Sequence, residues 1–158
     1  MYKTKIDLPA EERESLVDML NQSLADASDL KSQAKQAHWN VKGMQFIALH
    51  ELFDKVAAAA DAHTDLIAER ITTLGGTACG TVRQAAQKSS LSEYPLEISD
   101  GTSHVDALSA ALADFGKKVR KNIDEAAGFG DQDTADIFTE ISRETDKNLW
   151  FVEAHIQS

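Results

Sequence analysis

The sequence is poor in the residues that build disulfide scaffolds, tight turns and membrane spans. Of its 158 residues, one is cysteine and two are proline. A lone Cys79 excludes an intramolecular disulfide and any paired-cysteine metal motif. The apolar runs are too short to cross a membrane, and residues 1–7 lack the pattern of a secretory signal, so we expect a cytoplasmic protein. The scarcity of proline leaves long stretches free to form helices.

Positive charge is also in short supply. The 16 lysines and arginines are outnumbered by 26 aspartates and glutamates, which gives a formal net charge of −10. Phosphate binding depends on clustered positive charge, so this balance disfavours a general nucleic-acid surface, and an acidic shell would instead attract cations. One basic cluster does occur, but a solvated helix face explains it better than a DNA patch; it comprises Lys117, Lys118, Arg120 and Lys121.

Apolar periodicity predicts four long helices and a single domain spanning residues 1–158. The first helix opens at Pro9 and runs from about residue 10 to about 39, and the second covers about 45–74 before a Gly-Gly pair. Residues 75–102 then form a long crossover with a short helix at about 82–87. Two further helices cover about 103–126 and 131–153. This order predicts an all-α, ferritin-like four-helix bundle with one long connection.

Residues of metal-ligand type gather in and just before the second helix. They are His38, His50, Asp54, Asp65 and Glu69. At about 100° per residue, the last four fall within roughly 100° of one another on a helix. His50 and Glu69 would nevertheless stand about 28 Å apart along that helix, whereas the ligands of one ion lie about 2.0–2.2 Å from it. One straight chain therefore cannot close the site.

A two-fold contact between two copies of the chain would close it. If two such helices cross antiparallel, the His50/Asp54 pair of one meets the Asp65/Glu69 pair of the other, with the axis between residues 59 and 60. This midpoint lies in the alanine run 57–60, whose small side chains allow close helix approach. The sequence therefore suggests two equivalent metal sites shared across a dimer. For either pair alone, an ordinary solvated acidic face remains the alternative.

The ligand types narrow the choice of metal. Imidazole and carboxylate without thiolate suit iron, zinc or manganese, and a carboxylate-rich set favours redox-active iron over closed structural zinc. Asp61 lies in the same stripe and could pass ions to the site or simply face solvent. His63 lies roughly 120° or more from most of the stripe, so we expect a surface or packing histidine. His104 and His155 have no ligand-type spacing around them.

Several segments together match one known pattern. They run from His38-Trp39-Asn40-Val41-Lys42-Gly43 through Phe46, Leu49-His50-Glu51-Leu52-Phe53-Asp54, residues 65–71 and Leu74-Gly75-Gly76 to residues 133–136 and 146–151. The combination resembles the Dps family, the DNA-binding proteins from starved cells. The resemblance extends over nearly the whole chain.

This resemblance implies a subunit of a hollow dodecamer that stores iron mineral. It implies a ferroxidase that oxidises ferrous to ferric iron, preferentially with hydrogen peroxide, and so protects against oxidative damage. His38, His50 and Asp54 would come from one subunit, and Asp65 and Glu69 from its partner. Trp39 matches a tryptophan beside that centre, where its ring could intercept radicals or merely pack. Three acidic residues resemble carboxylates that line the pores admitting iron, although capping and solvation also explain them: Asp131, Asp136 and Glu140.

Three functions remain open from the sequence. They are a peroxide-consuming mini-ferritin, a DNA-compacting structural protein, and a helical oligomer whose metal site is structural or holds zinc, which could also compete for an iron site. Ordinary ferritin is disfavoured because its Glu-x-x-His motif is absent. Family members that bind DNA directly usually carry a longer lysine-rich arm than Lys3 and Lys5 provide. We therefore expect weak or no DNA binding, on which any association with the nucleoid would depend.

Overall fold

The computed structural model describes residues 1–157, which form five α-helices and no strand. The helices are α1 (Ala10–Asn40), α2 (Phe46–Thr73), α3 (Val82–Lys88), α4 (Gly101–Gly128) and α5 (Gln132–Glu153). The four long helices and the short helix in the crossover lie where periodicity predicted them, within about two residues at each end. The predicted all-α architecture of four long helices with one long connection is confirmed.

Local chemistry explains where the helices end. Pro9 precedes α1, and its missing N–H costs nothing at that position. At the end of α2, Gly75 has a φ of +87°, and a Cβ there would lie 2.6 Å from the backbone oxygen of Tyr2. Only glycine fits this turn without strain. The same close approach brings residues 1–8 back against α2, where the Tyr2 N–H donates to the Gly75 carbonyl at 2.7 Å.

The start of α4 lies two residues earlier than periodicity predicted. Asp100 caps this helix, because its carboxylate accepts a hydrogen bond from the Ser103 N–H at 2.9 Å. The backbone hydrogen bond also holds the pKa of Asp100 below its usual range. The apolar pattern begins after the cap, and that is why it placed the boundary too late.

The helices pack mainly in two pairs, α1 on α2 and α4 on α5, with α3 lying on α1. The apolar residues that recur every three or four positions along α1 are all buried: Leu16, Leu20, Leu24, Ala27 and Leu30. Phe53, Phe115 and Phe138 fill the centre from three different helices. In the part of the chain that the structure describes, no helix is both long enough and apolar enough to span a membrane. The resulting bundle leaves an acidic stripe exposed on α2, formed by Asp54, Asp61, Asp65 and Glu69.

Candidate metal centre

The centre is built around two stacked histidine rings at the junction of α1 and α2. The ring centroids of His38 and His50 lie 3.7 Å apart, with an angle of 21° between the planes. His38 Nδ1 lies 2.7 Å from the backbone oxygen of His50, and His50 Nδ1 lies 2.8 Å from the backbone oxygen of His38. Each ring is therefore fixed by the other residue's backbone.

These reciprocal hydrogen bonds determine the tautomer of both rings. A carbonyl oxygen only accepts, so each Nδ1 carries the proton and donates it. Each neutral ring consequently keeps its lone pair on Nε2, the atom that binds a metal ion. A hydrogen bond from the opposite ring nitrogen to a carbonyl is also the usual way in which proteins orient a histidine ligand. The pair has the chemistry of two preorganised nitrogen ligands.

Asp54 lies beside this pair and is held by a cation. Lys35 Nζ donates to Asp54 Oδ1 at 2.7 Å, and the Asp54 side chain is 56% exposed. The hydrogen bond from Lys35 is the main cause that lowers the pKa of Asp54. The Lys35 ammonium also lies 5.7 Å from the ring centre of Trp39. Asp54 is thus an ionised, accessible carboxylate next to two imidazoles.

The other two predicted ligands lie elsewhere on α2. Asp65 and Glu69 are exposed and lie on the same helix beyond the alanine run, in which Ala57 and Ala60 are buried and Ala58 faces solvent. Within residues 1–157, no three His, Cys, Asp or Glu side chains come close enough to hold a metal ion. The structure therefore stacks His38 on His50 and leaves Asp54 one helical turn further on, paired with Lys35. Asp65 and Glu69 lie further along the same helix.

Comparison with known proteins identifies the family. A family model described as a ferritin-like domain matches residues 17–158. A DNA protection during starvation protein from Agrobacterium fabrum (strain C58) is 47% identical over 156 residues, which cover 99% of this chain and 96% of the relative. The chain belongs to the Dps family.

Solved structures of Dps proteins have the same fold. That of Mycobacterium smegmatis Dps in its tetragonal form superposes with a TM-score of 0.94 at 29% identity, covering 99% of this chain and 96% of the other. Dps from Microbacterium arborescens, described in a high iron form, gives a TM-score of 0.86 at 32% identity and covers 92% and 95%. The Dps resemblance drawn from the sequence is confirmed.

In this Dps chain, the three acidic residues predicted for a pore differ in their surroundings. Asp131 is buried, accepts two hydrogen bonds from Arg70 Nη2 at 2.7 and 2.8 Å, and caps α5 by accepting from Thr134. Burial alone would raise the pKa of Asp131, but the bonds from Arg70 and Thr134 outweigh it and lower the pKa. Asp136 and Glu140 are exposed. Of the three, Asp136 and Glu140 therefore remain the candidates to line a pore.

Three further predictions concern Asp61 and His63 of α2 and the basic cluster of α4. Asp61 is exposed and pairs with Lys31 at 2.6 Å rather than approaching the histidines. His63 is the packing histidine of the two alternatives, because it is buried and bonds Glu144 of α5 at 2.9 Å. The basic cluster of α4 is largely neutralised, since Lys118, Arg120 and Lys121 each pair with a carboxylate.

Sequence reasoning missed the contacts made by side chains from distant segments. Lys35 was not among the predicted site residues, yet it holds Asp54. His104 is 1% exposed and lies 2.7 Å from the hydroxyl of Tyr94 in the crossover. Helical spacing carries no signal for either contact, because each joins residues on different elements.

Proposed function

We propose that this Dps-family protein is a ferroxidase that oxidises ferrous iron, preferentially with hydrogen peroxide, and stores the ferric mineral. The centres lie between two copies of the chain, and twelve copies form a hollow cytoplasmic shell around the mineral. Each centre takes His38, His50 and Asp54 from one subunit and Asp65 and Glu69 from the other. The high iron form described for Microbacterium arborescens Dps supports iron as the metal.

The observation that carries this proposal is the reciprocal bonding of the two histidines. It leaves two Nε2 lone pairs pointing away from the backbone, next to an ionised Asp54. Nitrogen and carboxylate oxygen together suit ferrous iron, and no thiolate is present to favour zinc or copper. An ordinary solvated face would not need both imidazoles to be fixed in the same tautomer.

The incomplete ligand set of one chain supports a centre that two chains share. The described residues gather only part of a ligand set, and the remaining carboxylates lie on an exposed stripe of the same helix. A two-fold axis between residues 59 and 60, beside Ala58, would bring the two halves together twice. Ala58 is small and faces solvent, so two α2 helices could approach closely there.

The chemistry needs two ferrous ions for each peroxide. One hydrogen peroxide accepts one electron from each of two ferrous ions and, with two protons, becomes two waters. A single ferrous ion would instead deliver one electron and release a hydroxyl radical. The residues of the centre would contribute by holding ferrous ions close together, with the imidazoles as neutral ligands and the carboxylates offsetting the charge of the ferric product. Asp136 and Glu140 would attract iron to a pore, whereas Asp131 secures α5 to Arg70.

Anaerobic loading tests the activity. The assembled protein is loaded with ferrous iron, peroxide is added stepwise, and ferric absorbance and residual peroxide are recorded. We expect rapid oxidation with about one peroxide consumed per two irons. His50→Ala and the Asp65→Asn/Glu69→Gln pair should abolish it while leaving the shell intact by sedimentation. Glu51→Gln, an exposed neighbour of His50, is the matched control. Oxidation no faster than in buffer would instead favour a structural or zinc-holding role.

Mixing two inactive variants tests whether the site is shared. His50→Ala subunits and Asp65→Asn/Glu69→Gln subunits are unfolded together and reassembled. In a mixed dimer, one centre carries both changes and the other carries neither, so about a quarter of the wild-type activity should return after random pairing. If each centre belonged to one chain, no activity would return, and the two-fold arrangement would be wrong even if the ferroxidase activity stood.

A further inference from the structure

We propose that Tyr94 is a second oxidisable side chain beside the candidate metal centre, one that passes an electron to oxidised Trp39 while its proton moves to His104. This inference rests on the proposed ferroxidase activity, because Tyr94 and His104 would act only on radicals that form at the metal centre. It concerns a tyrosine on the crossover, well separated in sequence from every proposed iron ligand.

The hydrogen bond between Tyr94 and His104 has the geometry that such a transfer needs. The phenol oxygen lies 2.7 Å from His104 Nδ1, and the two rings are nearly parallel, with 19° between their planes. Tyr94 is half-buried and His104 is buried, so water cannot readily replace either partner. A proton can therefore move between these two atoms without diffusion of either group.

The proposed transfer requires the phenol to donate and His104 Nδ1 to accept. The neutral ring then carries its proton on Nε2, which is buried without a hydrogen-bond partner. The backbone of Asn40 acts to raise the pKa of the ring, although burial outweighs it. Burial lowers the pKa of His104 and raises that of Tyr94, so the resting pair is a neutral phenol and a neutral imidazole.

Trp39 supplies the link to the metal centre. Trp39 and Tyr94 line the same groove of about 950 Å³ between α1, α2 and the crossover. Trp39 follows His38 directly, and Lys35 contacts both the Trp39 ring and Asp54. The indole is 66% exposed. An oxidant formed at the centre would therefore meet Trp39 first, and Tyr94 lies on the wall of the same groove.

The transfer balances as a coupled loss of one electron and one proton. A hydroxyl radical, formed when a lone ferrous ion reduces peroxide, takes one electron from Trp39 and becomes hydroxide. Tyr94 then gives one electron to the indole radical cation and its hydroxyl proton to His104 Nδ1. This yields neutral Trp39, a phenoxyl radical and a protonated imidazole. A further ferrous ion reduces the phenoxyl radical, and the proton returns from His104.

One-electron oxidation without iron tests this proposal independently of ferroxidase activity. Azide radicals generated by pulse radiolysis oxidise tryptophan in the assembled, iron-free protein, and the indolyl and phenoxyl absorbances are followed in time. The chain contains two tryptophans and two tyrosines, so each variant has a matched control. We expect the phenoxyl signal to grow as the indolyl signal decays, and to be lost in Tyr94→Phe and in Trp39→Phe. Tyr2→Phe and Trp150→Phe should leave the growth unchanged.

The role of His104 is tested by removing the proton acceptor. In His104→Leu, growth of the phenoxyl signal should slow by about a hundredfold, the lower end of what a positioned proton acceptor contributes. If that variant does not assemble, a slower transfer in deuterated solvent for the wild-type protein serves instead. A purely structural bond would lower the thermal midpoint of Tyr94→Phe without changing the radical kinetics. Phenoxyl growth that survives in Tyr94→Phe, or that is insensitive to deuterium, would overturn the proposal.

Discussion

At the scale of single residues, one predicted metal ligand of the candidate centre is already paired with a lysine. Lys35 bonds Asp54 at 2.7 Å, and an arriving ferrous ion would have to compete with its ammonium for the same oxygen. The lysine keeps the carboxylate ionised and oriented, but it also opposes the binding of a second positive charge. These two effects change the affinity for a metal ion in opposite directions.

We expect Lys35→Gln to tighten the binding of a divalent cation. The ion pair is accessible to solvent, with side chains 29% and 56% exposed, so its loss should change the affinity for the cation by at most about fivefold. Calorimetric titration with Zn²⁺, which does not change oxidation state, measures this on the assembled protein. Lys31→Gln is the matched control, because Lys31 lies one turn away and pairs with Asp61 instead. Weaker binding in Lys35→Gln alone would mean that orienting Asp54 matters more than the competing charge.

At the scale of the elements, the sequence was sufficient for the helices and for the ligand stripe but not for the contacts between helices. Apolar spacing and the Gly-Gly pair located α2 closely, because both are local properties of the chain. The pair formed by Arg70 and Asp131 could not be anticipated in the same way. It joins α2 to the cap of α5, and the sequence left Asp131 open between a pore carboxylate and a helix cap. Such long-range pairs depend on how the helices rotate against one another, which periodicity leaves open.

The contact between α2 and α5 should make stability depend on pH. His63 Nε2 donates to Glu144, while its Nδ1 is buried without a partner. Protonating Nδ1 would bury an unsatisfied N–H, and burial accordingly lowers the pKa of His63 although Glu144 opposes the shift. The unfolded chain then binds a proton more readily than the folded one. Stability is therefore complete above the unfolded pKa of about 6.5 and falls as the pH drops below it.

Thermal unfolding between pH 7.5 and pH 5 measures this dependence. His63 should contribute a slope of at most about 1.4 kcal/mol per pH unit. His63→Gln keeps a donor for Glu144 but cannot be protonated, so its midpoint should fall less steeply with acidification than that of the wild type. His155→Gln serves as the control, because His155 bonds only the backbone oxygen of its own helix turn. Equal slopes in wild type and His63→Gln would show that this histidine does not sense pH.

At the scale of the whole molecule, charge is the property that separates an iron store from a DNA-compacting protein. The chain carries a formal net charge of −10, and a shell of many copies would repel phosphate strongly. Its basic cluster on α4 does not offset this, because Lys118 pairs with Asp114 and Lys121 with Glu125, at 2.6 and 2.8 Å. Arg120 pairs with Asp146 of α5 at 2.6 Å. A protein of this kind would protect DNA by consuming iron and peroxide rather than by contact.

We therefore expect the wild-type assembly not to retard duplex DNA in a gel, even at low salt. Replacing the three partner carboxylates by serine, at Asp114, Glu125 and Asp146, would expose the α4 cations and should produce a retardation that weakens steeply with salt, as phosphate contacts do. The same number of serine changes at exposed acids away from α4, at Glu11, Glu14 and Asp18, controls for net charge alone. Retardation by the wild type would show that the ion pairs do not mask the cluster. If both triple variants retarded DNA, the smaller net negative charge would explain the binding, and exposure of the α4 cations would not.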